Sequence, residues 1–241
     1  MGDMPLLISN EGLLGSPWYT WNSSYSGKWS ESRAVHIKNM KLLFPKAKIL
    51  ISFRQHSEFI SSLYSQYLNE GGAKDFNDFF DISQNLGFIK KEDLVFKNII
   101  TKLKNEFEDN VFIFTLEEIH SNLETLIGDL QKYIGGKPPY IDQIMTKKHN
   151  VSAKSFQSKI LKFINKYQRS YLNPEGKFRL TNKYSQFFKI DPRTLCQQKL
   201  AFLPSKKMTL PQDIQAKIDK YFADDWSYIQ EGINIRSHML S

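Results

Sequence analysis

Five residues, Ile49-Leu50-Ile51-Ser52-Phe53, stand between Lys48 and Arg54 without polar alternation, and the segment after them changes period. A short apolar run bounded by charge predicts a strand buried on both faces, while Phe59, Leu63 and Tyr67 recur at helical spacing. A strand running straight into a helix constrains the fold more than any other feature here, because βα connectivity implies parallel pairing. Leu6-Leu7-Ile8-Ser9 and Val111-Phe112-Ile113-Phe114-Thr115 read as companion strands. Arg54 then closes a strand at the end where open parallel sheets bind ligands and helix amides favour anions. A guanidinium there, with the Ser62 hydroxyl eight residues on, can hold a phosphate.

Helical patterns separate and follow the strands. Residues 32–44 carry Val35, Met40 and Leu43 before Pro45, and residues 93–107 carry Val95, Ile99, Leu103 and Phe107 on one stripe. Ser121-Asn122-Leu123-Glu124 has the form of a capping box, leading into Leu123, Leu126, Ile127, Leu130 and Ile134 and a stop at Gly135-Gly136. Residues 155–172 predict a helix whose apolar face holds Phe156, Ile160, Phe163, Ile164, Tyr167 and Tyr171, with Lys159, Lys162, Lys166 and Arg169 largely away from it. Asn173-Pro174-Glu175-Gly176 ends it, no steady period follows up to Pro204, and a last helix runs over 212–229.

The chain of 241 residues is read as one domain, with an α/β core over 1–135 and a mostly helical, basic part over 136–241. Residues 147–220 hold 17 Lys and Arg against 4 Asp and Glu, so the net charge of +8 is concentrated there. Such a surface attracts anions within the reach of salt screening, and it also fits an ordinary solvated lysine-rich face. No apolar stretch is long enough to span a membrane, no secretory leader opens the sequence, and the single Cys196 excludes an internal disulfide, so a cytoplasmic location is expected. The five histidines show no zinc-type spacing, and no metal is expected.

Arg54-Gln55, then Ser62-Leu63-Tyr64-Ser65-Gln66-Tyr67 and a later Phe79-Phe80, resemble the 3′-phosphate site of sulfotransferases that use 3′-phosphoadenosine 5′-phosphosulfate (PAPS), in particular bacterial members acting on carbohydrates. The resemblance covers residues 5–152 and fades beyond. It implies a P-loop-NTPase-like three-layer α/β fold with a parallel sheet, and transfer of a sulfuryl group from PAPS to a carbohydrate hydroxyl. It assigns Arg54 and Ser62 to the 3′-phosphate, joined by Lys147, Lys148, Asn150 and Ser152 of a basic loop that equally reads as a plain helix N-cap by Ser152. Glu11, past the first predicted strand, is the first candidate base and His56 the second, with Glu11 as an ordinary loop residue the competing reading. Trp18, Tyr19, Trp21, Tyr25 and Trp29 could stack on sugars or form a folded-back loop core. Glu117-Glu118 reads as structural.

One departure is plain: no Pro-Lys-x-Gly-Thr-like loop for the 5′-phosphosulfate occurs in the sequence. The expectation is therefore an N-terminally truncated fold, lacking an interior strand, whose exposed sheet edge a homo-oligomer would cover. A non-catalytic relative that binds anionic glycan or nucleic acid through its basic segment is the alternative, and nucleic acid is not expected for the enzyme reading. A P-loop kinase relative is disfavoured, since neither a Walker-type loop nor an acidic magnesium ligand is visible.

Overall fold

The computed structural model describes residues 7–10, 12–17, 20, 28–135, 155–177 and 208–240. Two strands, β1 (Ile49–Phe53) and β2 (Val111–Thr115), pair in parallel with Ile51 opposite Ile113 and Phe53 opposite Thr115. Helix α1 (Trp29–Leu43) precedes β1, and α2 (His56–Asn69), the short α3 (Phe76–Phe79), a 3₁₀ turn (Lys91–Leu94) and α4 (Phe96–Phe107) lie between the strands. After β2 come α5 (Leu116–Ser121), α6 (Leu123–Ile134), α7 (Ser155–Tyr167), α8 (Gln212–Tyr221) and α9 (Ala223–Leu240). The described chain is thus mixed α/β, mostly helical, around a two-stranded parallel sheet.

Two sequence expectations about the sheet are corrected. Leu7–Asn10 form no strand, and Leu7 and Ile8 are 76% and 47% exposed. The backbone there enters a turn instead: Asn10 Oδ1 accepts the Gly12 N–H, and its carbonyl accepts from Leu13 N. Nor is β1 buried on both faces. Ile51 and Phe53 pack with Ile99 and Leu103 of α4 and Ile229 and Ile233 of α9, whereas Leu50 and Ser52 are exposed. On that second face α6 covers β2, setting Tyr133 against Phe112 at 5.1 Å, and leaves the adjoining half open.

Helix rotation is set by buried polar groups rather than by apolar count. In α1 the buried stripe is Trp29, Arg33 and Ile37, while Val35 and Leu43 are 58% and 72% exposed, the reverse of the sequence expectation. The Arg33 guanidinium lies 3.5 Å from the Trp29 ring centroid and donates to the Asp93 carbonyl. The Asp93 carboxylate receives Ser30 N and Lys90 N at 2.8 and 3.1 Å. This network turns one edge of α1 inward, since a buried guanidinium needs acceptors that only residue 93 supplies. Burial lowers the Arg33 pKa to about 10, opposed by the Asp93 charge.

The predicted Ile99, Leu103 and Phe107 stripe of α4 is buried as expected, although the helix begins at Phe96, after the 3₁₀ turn. The capping box sits not at Ser121 but at Thr115, whose hydroxyl accepts Glu118 N while the Glu118 carboxylate accepts Thr115 N at 2.9 Å. Gly135, at φ +82°, ends α6 in the left-handed conformation. The last predicted helix is two, α8 and α9, breaking at Phe222, which is buried beside Ile218 in the core around Tyr67, Phe79 and Phe80. Asp225, in the first turn of α9, accepts Phe96 N and Lys97 N at 2.8 and 2.9 Å and so caps α4 from the far end of the chain. No helix among the described residues is long and apolar enough to cross a membrane.

Candidate anion site at the carboxyl end of the sheet

The β1–α2 junction places Arg54 directly after the last paired residue of β1, as the apolar run predicts. Its Nη2 pairs with Glu58 Oε2 on the first turn of α2, and both side chains keep partial exposure, 21% and 31%. Ser62 is exposed and follows Glu58 by one helical turn, so Glu58 and Ser62 share a stripe that begins beside Arg54. A guanidinium has five N–H donors, and Glu58 is the only partner found for Arg54 among the described residues. Donors therefore remain for an anion on the same stripe. Sequence reading passed over Glu58, although its four-residue spacing from Arg54 was a usable signal.

The amides at the start of α2 are occupied by the protein's own carboxylates. Ser57 N and Oγ both donate to Asp219 of α8, at 3.2 and 2.9 Å. Gln55 N donates to Glu117 Oε1 at 3.1 Å. The helix dipole does attract anions here, as expected, and the fold fills the position from residues 62 and 162 positions away. Glu117 Oε2 is buried without a hydrogen-bond partner among the described residues. Glu118 does have the structural role read from sequence, bonding Thr115 and pairing with Arg236 at 2.7 Å.

His56 does not lie open at this rim. Its ring is 1% exposed and stacks between Phe96 and Phe222, with centroids at 4.3 and 4.4 Å. Nε2 lies 3.0 Å from Asp225 Oδ2 and 3.1 Å from the Leu94 carbonyl; both are acceptors, so Nε2 carries the hydrogen. This is the geometry of a buried structural histidine, not of a base facing a substrate. Trp29 is likewise core: it is 4% exposed and its Nε1 donates to the Gly15 carbonyl at 3.1 Å. Glu11, Lys147, Lys148, Asn150 and Ser152, with Trp18, Tyr19, Trp21 and Tyr25, lie outside the described residues.

For PAPS the fit is one-sided. The 3′-phosphate end has a guanidinium with spare donors and a hydroxyl on the same stripe, while the 5′-phosphosulfate end has no Pro-Lys-x-Gly-Thr-like partner in the sequence. No family model, curated protein or solved structure matches this chain.

Proposed function

We propose that this chain is a cytoplasmic, P-loop-like sulfotransferase domain that binds the 3′-phosphate of PAPS at the Arg54 rim and serves transfer of its sulfuryl group to a carbohydrate hydroxyl. The observation that carries the reading is the placement of Arg54: it ends a parallel strand, is held by Glu58, keeps free donors and stands at the head of the stripe bearing Ser62. Sulfuryl transfer asks the protein for positioning, stabilisation of developing charge and a proton acceptor. Arg54 and Ser62 supply the first at the nucleotide end, and Glu11 is the candidate acceptor, since His56 is committed elsewhere. The open half-face at Leu50 and Ser52 supports a homo-oligomer covering β1, which sedimentation equilibrium tests.

A second reading, a non-catalytic relative, is favoured by one observation: Asp219 and Glu117 already occupy the amides that a phosphate could use. Calorimetric titration with 3′-phosphoadenosine 5′-phosphate separates the two. Measurable affinity that falls at least ten-fold in Arg54→Ala and less in Ser62→Ala supports the sulfotransferase reading. Affinity unchanged by Arg54→Ala removes its basis.

A further inference from the structure

Helix α7 turns outward the face that its sequence would bury. Ser158, Leu161 and Asn165 face the core, at 6%, 0% and 1% exposure, while Phe163 is 65% and Tyr167 38% exposed. The cause is a pair of carboxamides. Asn165 Nδ2 donates to the carbonyls of Leu68 and Gly72 at 2.7 and 2.9 Å, satisfying a C-terminal carbonyl of α2 that no helical N–H reaches. Asn173 Nδ2 donates to the carbonyls of Asn165 and Lys166 at 2.7 and 3.1 Å, closing the end of α7. Buried amides without these partners would cost more than the exposed aromatic surface, so the rotation is fixed and the rings point to solvent.

The exposed stripe is not simply apolar. Phe163 and Tyr167 contact each other at 5.1 Å between centroids, and Lys159 and Lys166 lie exposed on the same stripe, with Arg169 beyond the helix. Among the described residues no carboxylate pairs with these three cations. Beside the stripe opens a cleft of about 300 Å³ lined by Lys74, Asp75, Asp78, Lys162, Lys166 and Asn173, in which Lys162 pairs with Asp75. An exposed aromatic patch with a charged rim marks an interaction surface, and the charges choose the partner.

Unpaired cations call for an anionic partner. The carboxylates of Asp75 and Asp78 in the adjoining cleft disfavour a phosphodiester strand or an anionic lipid plane, both of which present anions without hydroxyl donors at close spacing. Carboxylates accept hydrogen bonds from hydroxyls, aromatic faces stack on the C–H faces of sugar rings, and lysines pair with carboxylates on a polymer. We propose that α7 and its cleft bind an acidic polysaccharide, with Phe163 and Tyr167 as the stacking platform, Lys159 and Lys166 as the anion contacts, and Asp78 facing sugar hydroxyls. The site stands apart from the Arg54 rim and does not depend on what that rim binds.

The test is affinity electrophoresis of the full chain through gels containing polygalacturonate, at about 0.1 M salt, where charges more than about 10 Å apart are screened. Retardation of the wild type by polygalacturonate and not by neutral dextran supports the proposal. A loss of roughly ten-fold in affinity for F163A/Y167A supports it too, that being the lower end of what removing an aromatic stack costs. Both rings are exposed, so the thermal midpoint of this variant should match the parent. K159Q/K166Q gives an independent reading: weaker binding with a shallower salt dependence supports the proposal, and unchanged affinity overturns it. Absence of retardation, equal retardation by dextran, an unchanged F163A/Y167A, or tighter binding of poly(dT) or phosphatidylserine vesicles also overturns it.

Discussion

Asp225→Ala should be among the most damaging single substitutions in the chain. The carboxylate accepts Phe96 N, Lys97 N and His56 Nε2 and is 9% exposed, so it ties the start of α4, the start of α2 and α9 at one point. Losing a side-chain cap on a helix costs about 1 kcal/mol, and leaving the buried Phe96 N–H without an acceptor costs about 1–3 kcal/mol more. His56 keeps the Leu94 carbonyl, so only its charge-assisted bond is lost, about 1 kcal/mol. The sum is about 3–5 kcal/mol, against a total stability on the order of 5–15 kcal/mol for a domain. Asp225→Asn, which keeps one acceptor oxygen, should lose roughly half as much. Urea denaturation reads this as a lower midpoint at constant slope. A double-mutant cycle with His56→Phe, which preserves the stack between Phe96 and Phe222, should show coupling of about 0.5 kcal/mol or more. A midpoint for Asp225→Ala within about 0.5 kcal/mol of the parent would show that α9 does not hold α4, and the packing of residues 212–240 on the sheet would be refuted.

Three other outcomes are expected. Ile37→Ser should cost about 2–4 kcal/mol and Val35→Ser less than about 0.5, because Ile37 is 1% and Val35 58% exposed; equal losses in denaturant titrations would contradict the rotation of α1. A methyl added at Gly72 would lie 2.2 Å from the buried Tyr67 ring, so Gly72→Ala should lower stability by about 1–3 kcal/mol through overpacking, whereas Gly135→Ala, in open space at φ +82°, should lose only about 1 kcal/mol. Burial raises the pKa of Tyr64 and Tyr67 and pushes Tyr133 up to about 12, which favours the protonated phenols in the fold. The unfolded chain ionises first, so this stability is complete below about pH 10 and is lost as pH rises toward 12 and beyond. Phenolate absorbance should show these three rings titrating late and together with unfolding; eleven tyrosines ionising reversibly near their ordinary value with the fold intact would be the contrary result.

Much of the local structure was legible in order along the chain. The 49–53 and 111–115 runs, the α4 stripe ending at Phe107 and the Gly135 stop all rest on contacts within a few residues, where period and turn chemistry act directly. The position of Arg54 was legible for the same reason, since the end of a strand is a local property. The capping box was misplaced because Thr115-Leu116-Glu117-Glu118 offers the same spacing as Ser121 to Glu124, and only the strand before it decides which is used.

What the amino-acid order determined by itself was where backbone hydrogen bonds could start and stop, and therefore which segments became strand or helix. Tertiary structure decided which way each helix faces and who occupies the anion-favouring amides of α2. Arg33 with Asp93, Asn165 with Leu68 and Gly72, and Ser57 with Asp219 join residues 60 to 162 positions apart. A buried polar group must find its partner wherever the chain brings one, and that demand outweighs the smaller gain of turning a few more apolar atoms inward. Hence Phe163 and Val35 face water, and Asp225 and His56, 169 residues apart, share a hydrogen bond.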